Sequence, residues 1–454
     1  MNWTPKSLSE ILDQSGHHRA GDRDFPVLSI TMKQGLVDQA DKFKKRVASS
    51  DTSNYRIAYK NELVVGFPID EGVLGFQTKY PAGIVSPAYD IWKLRKATEC
   101  HIPYLERYLR SPQARRLYAS RMKGAVARRR SMTKADFLKL EIPFPPVNDQ
   151  IRIAHLLGKV EGLIAQRKQH LQQLDDLLKS VFLEMFGDPV RNEKGWEKKP
   201  FSKLLVDIES GKSPKCEARP AANNEWGVLK LGAVTRCTYD ECENKALPEN
   251  VSPSLRDEVK AGDLLFSRKN TYELVAACAY VFTTRPKLLM PDLIFRLVFR
   301  DDAEVNPIYM WKLLIAGSQR KAIQSLAAGA AGSMPNISKS NLREVQLPIP
   351  PLPLQDEFAA IVNKVEGIKS RYQKSLADLE DLYGALSQQA FKGELDLLRV
   401  PLPDKQGQPM RGEHDEQQKQ TDRSPLPVGA ITPTEVINHL MQAAQPQRRH
   451  KREA

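Results

Sequence analysis

The sequence has no run of 18 or more apolar residues, so it holds no candidate transmembrane helix. Its opening stretch, Met1–Leu12 (MNWTPKSLSEIL), lacks the basic-then-apolar pattern of a secretory signal. The expectation is a cytoplasmic chain without a membrane partner. Cysteine is scarce: Cys100, Cys216, Cys237, Cys242 and Cys278 are an odd number and widely scattered. Cys237 and Cys242 have no nearby His or second pair to complete a zinc site, so reduced thiols and no metal are expected. Catalytic signatures are also missing. Ser210–Pro214 (SGKSP) contains Gly-Lys-Ser, but a phosphate loop needs a glycine five residues before Gly211, and Val206 stands there. No glycine-rich loop follows a strand to hold a dinucleotide or a methyl donor, and no Asp/Asn-Pro-Pro-Tyr/Phe tetrad of amino-methyltransferases occurs. Pro291-Asp292 is not followed by a Glu-x-Lys on a convincing strand, which argues against a nuclease core. The eight histidines form no HExxH or HxH pair. The expectation is a non-catalytic chain that binds no cofactor.

What is present is basic charge and repetition. The chain has 454 residues, 41% of them hydrophobic, enough for two to four domains with real cores. A formal net charge of +13 favours nucleic acid as a partner. Ile142–Gln150 (IPFPPVNDQ) returns 205 residues later as Leu347–Gln355 (LPIPPLPLQ), and the same offset carries without a gap to Phe186 against Phe391. Fourteen positions in this stretch are identical: Pro143, Pro145, Pro146, Gln150, Ala154, Lys159, Val160, Glu161, Gly162, Leu171, Leu174, Asp176, Leu177 and Phe186. Upstream the match fades but keeps its frame, with Tyr104 against Tyr309, Gly124 against Gly329, Met132 against Ile337 and Lys134 against Lys339.

The repeated part reads as helix. Ile153, Leu157, Val160, Ile164, Arg167, Leu171, Leu174 and Leu178 alternate steps of four and three, a heptad seam with one polar break at Arg167. The second copy gives Phe358, Val362, Val365, Lys369, Tyr372, Leu376 and Leu379. Extra apolar residues flank each seam, so each helix has room for two partners. Prolines just before each helix end the upstream strand and fix the entry of the chain. The two helices are expected to pair with each other as an antiparallel spacer, a rod of roughly 54 Å at about 1.5 Å per residue.

Each helix follows a mixed block. In the first, Phe25–Thr31, Asn61–Phe67 and Tyr89–Leu94 read as strands and Ile102–Met122 as an amphipathic helix. In the second, Trp226–Gly232, Gly262–Ser267, Val275–Phe282 and Leu293–Phe299 read as strands and Asn306–Ala327 as a helix. Beyond Val400 the chain turns polar and rich in Pro and Gln, which reads as a disordered linker, with a short capped helix at Thr432–Ala444 and a basic end.

Cations gather in loops of these blocks. Lys123–Lys134 (KGAVARRRSMTK) carries Lys123, Arg128, Arg129, Arg130 and Met132; adjacent arginines neutralise phosphates, and one can reach a guanine edge bidentately. Its counterpart, Gly329–Ser340, is uncharged until Lys339 and offers Ser333 and Asn336. Arg268, Lys269 and Asn270 follow a strand end in the second block. Equivalent places with different side chains are what two readers of different sequences require.

With these residues on the page, the chain resembles the specificity subunit of type I restriction–modification systems, the HsdS-like family. The resemblance covers about residues 1 to 395 and rests on the duplicated order of variable block and proline-led helix, with VLKLGAV, GDLLFSRKNTYELV and GSMPNISKSNLREVQLPIPPLPLQDEFAAIV in the second copy. In the first copy it rests on PVLSIT, LEIPFPPVNDQIRIAHLL and MFGDPVRNEKGWE. It implies an α+β fold, with two similar mixed α/β target recognition domains separated by two long helices forming an antiparallel coiled coil. The expected spans are 1–145 for the first recognition domain, 146–190 for the first spacer helix, 191–350 for the second domain, 351–395 for the second helix and 396–454 for a mostly disordered tail. It further implies that each domain reads one half of a split, asymmetric site in double-stranded DNA. The subunit would gather two methyltransferase subunits and, in the full complex, two motor–nuclease subunits. S-adenosylmethionine and ATP with Mg would sit on those partners. Family loop contacts fall on Arg128, Arg129, Arg130, Met132, Arg268, Ser333 and Asn336. The stretch after residue 396 departs from the family pattern. Two other readings remain: a specificity subunit of another phage-defence methylation system, and a helical adaptor that binds proteins alone.

Overall fold

The computed structural model describes residues 3–16, 18–32, 34–42, 51–122, 131–328 and 334–403. The tail from residue 404 on, with the short helix expected there, lies outside the described residues. The chain forms two compact units. The first takes the chain up to Lys168 and again from Lys374; the second takes Gln169–Gln373. Two long helices, Val147–Phe186 and Leu352–Lys392, pass from one unit to the other.

The first unit opens with β1 (Pro5–Ser7) and β2 (Leu12–Gln14), continues through β3 (Leu63–Val65), β4 (Leu74–Phe76) and β5 (Asp90–Leu94), then α1 (Ile102–Arg110), α2 (Pro112–Arg121) and β6 (Glu141–Pro143). Its main sheet is antiparallel in the order β2-β5-β3-β4, and β1 pairs β6. The second unit repeats this plan with β7 (Lys198–Pro200), β8 (Leu205–Ser210), β9 (Leu264–Ser267), β10 (Cys278–Tyr280), β11 (Ile294–Phe299), α3 (Pro307–Ile315), α4 (Gly317–Gln324) and β12 (Gln346–Pro348). Its main sheet runs β8-β11-β9-β10, again antiparallel, and β7 pairs β12.

The duplication extends to single hydrogen bonds. Tyr104 Oη donates to the Pro143 carbonyl at 2.9 Å, and Tyr309 Oη to the Pro348 carbonyl at 2.9 Å. The amides of His101 and Asn306 donate to the side-chain carbonyls of Gln150 and Gln355, at 2.8 and 2.9 Å. Each glutamine then donates backward, to Pro145 and Pro350 and to Glu99 and Glu304. Both glutamines are fully buried, so every amide group needs such a partner.

Each unit also takes the far end of the other copy's helix into its core. Phe391 packs edge-on against Tyr104 and Tyr108, with centroids at 5.9 and 5.2 Å. Phe186 packs edge-on against Tyr309 and Phe358, at 4.8 and 5.3 Å. Burying one such ring contributes about 1.5–3 kcal/mol. Ile153 and Leu157 join the first core, while Leu178, Phe358, Val362 and Val365 join the second. Within the first unit Glu161 meets Tyr383 and Lys168 meets Glu380; within the second His170 meets Tyr372 and Asp175 meets Lys369. As one number rises the other falls, so the helices run antiparallel in both units. Midway, Ile164, Leu171, Leu174, Tyr372, Leu376 and Leu379 are only half-buried.

Several expected elements come out shorter. The helix expected over Ile102–Met122 breaks at Ser111, whose hydroxyl accepts from the Ala114 amide at 3.2 Å while Pro112 starts the next helix. The helix expected over Asn306–Ala327 breaks at the equivalent Ala316. The strand expected over Val275–Phe282 shrinks to β10, because Ala276 at φ 59° leaves extended backbone.

Candidate nucleic-acid interface

The loops singled out by charge fall at one place in the second unit. β9 ends at Ser267, and the chain turns through Arg268, Lys269 and Asn270 beside Pro335–Ile337. Lys269 and Asn336 form an isolated antiparallel bridge, and Ala328 bridges Asn336 from the other side. The Ile337 amide donates to the Arg268 carbonyl at 2.8 Å. These bonds hold the two loops together although 68 residues separate Arg268 from Asn336. The Arg268 guanidinium lies 5.3 Å from the ring centre of the buried Phe295, and the Lys339 ammonium lies 5.6 Å from the same ring.

At this loop junction some polar atoms lack a partner. Among the described residues, Ser267 Oγ, Arg268 Nε and Asn336 Oδ1 are buried without a partner. Buried polar atoms in folded proteins are nearly always paired, so three orphans at one loop junction make it a candidate site. Asn270 is different: its Oδ1 accepts from the Thr271 amide at 2.9 Å and its Nδ2 reaches Thr235 Oγ1 at 3.5 Å, so it holds the turn. Ser267 carries no charge and sits inside a strand pattern, so nothing in the sequence singled it out. The exposed Tyr272, at 57%, stands four residues beyond Arg268 and offers a ring for stacking.

The first unit has the corresponding place with other chemistry. Met132, Thr133 and Lys134 line a recess with Gly66, Phe67, Asp90 and Trp92. Where Lys339 rests on a ring, Lys134 makes an ion pair with Asp90 at 2.9 Å. Thr133 and Ser338 cap the following short helices in the same way, accepting from Asp136 and Asn341. Phe67 projects there, 58% exposed. Lys123, Arg128, Arg129, Arg130 and Ser333 lie outside the described residues.

A second pair of equivalent features lies where α1 and α3 meet the long helices. Arg107 grips Glu161 with its Nε and terminal nitrogen, at 3.2 and 2.6 Å. At the matching positions Lys312 reaches Glu366 at 3.5 Å. Beside each lies a cleft, of about 570 Å³ in the first unit and 520 Å³ in the second. The first is walled by Glu106, Arg110, Ser111 and Tyr383, the second by Leu178, Phe182, Trp311 and Ile315. Burial drives the Lys312 ammonium down to about 8, against the pull of Glu366. Burial also works against the Lys369 charge, but Glu366 and Asp175 overcome it and raise its pKa.

Among the described residues no group of three or more His, Cys, Asp or Glu could hold a metal, and no helix is long and apolar enough to cross a membrane. No family model matches the chain. The specificity subunit of the Escherichia coli type I restriction enzyme EcoEI is 32% identical over 246 residues, a match spanning 52% of this chain and 41% of that protein. Over that stretch the chain is similar to a type I specificity subunit. The EcoKI specificity subunit of E. coli K12 is 25% identical over 294 residues, 60% of this chain and 61% of that protein. The match thus spans less than two thirds of either curated relative. The crystal structure of the type I restriction–modification S subunit from M. genitalium has the same fold as this chain, with a TM-score of 0.52 at 14% identity over 86% of this chain and 96% of that one.

Proposed function

We propose that this chain is the DNA-recognition subunit of a type I restriction–modification complex, reading a split, asymmetric site with one half for each unit. The observation that carries this reading is the loop junction beyond β3 and β9, formed at equivalent places in a duplicated fold from different side chains. In the second unit Arg268 and Asn336 bring a guanidinium and an amide, the groups that read guanine and adenine edges in the major groove. In the first unit the Lys123–Arg130 segment supplies phosphate-neutralising charge, continuous in sequence with Met132 and Lys134.

The chain carries no catalytic group for the reaction. It places two methyltransferase subunits, which bring S-adenosylmethionine, and two motor–nuclease subunits, which bring ATP and Mg, in the cytoplasm. Replacing Arg128, Arg129 and Arg130 by alanine is expected to weaken duplex binding and to flatten the slope of log affinity against log salt by roughly 3, at about 0.9 per phosphate contact. Titration of labelled duplex at several salt concentrations measures this. An unchanged slope contradicts the assignment, and no duplex binding by the unaltered complex favours the protein-adaptor reading.

A further inference from the structure

Lys312 is the odd member of the two helix junctions. In the first unit the equivalent cation is Arg107, which stays charged at any physiological pH and holds Glu161 bidentately. In the second unit the carboxylate of Glu366 is shared. Lys369 takes it at 3.0 Å and also binds Asp175 at 2.8 Å, leaving Lys312 the longer contact of 3.5 Å. The Lys312 ammonium lies only 3.6 Å from the ring centre of Trp311 and lines the 520 Å³ cleft. A second ammonium nearby and an apolar wall are the surroundings that make a lysine amine nucleophilic. The titratable groups facing it are Glu366 and Lys369 from the second long helix, Asp175 and Lys179 from the first, and Arg236 and Cys237 from the neighbouring loop.

We propose that Lys312 is an acyl-acceptor site, whose amine takes the acyl group of a small acyl phosphate entering the cleft of the second unit. The lone pair of the neutral amine attacks the carbonyl carbon and a C–N bond forms. The C–O bond to phosphate breaks with its electron pair, and inorganic phosphate leaves past Arg236 on the cleft wall. The proton shed by the amine passes to the Glu366 carboxylate and then to solvent. The product amide is neutral, so Glu366 keeps Lys369 alone and Trp311 loses its cation. The first unit, with arginine at this place, is immune. Acylation therefore acts on one half of a duplicated molecule.

The test uses the full chain with acetyl phosphate between pH 7 and 10, followed by peptide mass spectrometry. An ordinary lysine is about 0.4% neutral at pH 8, whereas a group of pKa about 8 is half neutral. Lys312 is expected to be acetylated about tenfold faster than the exposed Lys179 at pH 8, with a rate that levels off above pH 9 while that of Lys179 keeps rising. Lys312→Arg is expected to lose the fast acetylation, while Lys179 is acetylated as in the unaltered chain. Modification of Lys312 no faster than Lys179, or a label that settles on Lys369 or Cys237, overturns the proposal.

Discussion

Gln355 shows how much one side chain holds. Its amide accepts from the Asn306 amide and donates to the carbonyls of Glu304 and Pro350, tying the turn before α3 to the start of the second long helix. Removing it leaves three backbone groups without partners in a buried place. Gln355→Ala is expected to destabilise the second unit by at least about 3 kcal/mol in urea unfolding, given about 1–3 kcal/mol per unsatisfied buried group. Gln150 and Gln355 were visible as an identity of the repeat. Their role was not, because most of the groups they bind lie about 50 residues upstream. Lys312 gives a prediction of the opposite sign. Its folded pKa of about 8 lies below the ordinary 10.5, so the unfolded chain binds more protons between these values. The cost of burying its charge is therefore full below pH 8 and is relieved as pH rises toward 10.5, a gain of order 3 kcal/mol at about 1.4 kcal/mol per pKa unit. Lys312→Met is expected to remove this rise from the stability–pH curve; persistence of the rise assigns it to another group.

At the scale of elements, the long helices were legible and the sheets were less so. Seam positions from Ile153 to Leu178 and from Phe358 to Leu379 repeat often enough to outweigh single exceptions, and the helices run Val147–Phe186 and Leu352–Lys392. The strands expected over Asn61–Phe67, Tyr89–Leu94, Gly262–Ser267 and Leu293–Phe299 hold β3, β5, β9 and β11, but short strands carry little period, and β8 (Leu205–Ser210) passed unnoticed beside its partner β11. The half-buried middle of each seam could not be foreseen from spacing alone, since the same leucines serve a core only where a unit covers them. Each helix also keeps a glycine in its interior, Gly162 and Gly367, after the shared Val-Glu pair. A Cβ at either meets nothing within 4 Å. Gly162→Ala and Gly367→Ala are each expected to stabilise their units by about 0.5–1 kcal/mol, because alanine loses less backbone freedom in a helix. A loss of stability in thermal unfolding at either position shows that the glycine serves a partner's close approach.

At the scale of the molecule, duplication sets the logic. One plan of sheet, paired short strands, proline-led entry and buried glutamine is built twice from sequences that share little outside the helices. What stays constant is the frame; what varies is the loop junction at the sheet end. The sequence marked Arg268, Lys269 and Asn336 by charge and by equivalence, while Ser267 and the bridge between Lys269 and Asn336 needed the fold. The measurement that tests this account most directly is genome-wide mapping of methylated bases in cells expressing this chain with the proposed methyltransferase partner, repeated with Arg268→Ala and Asn336→Ala. The account predicts a split, asymmetric motif in which these changes relax the bases of one half and leave the other intact. A continuous motif, or equal loss in both halves, contradicts it.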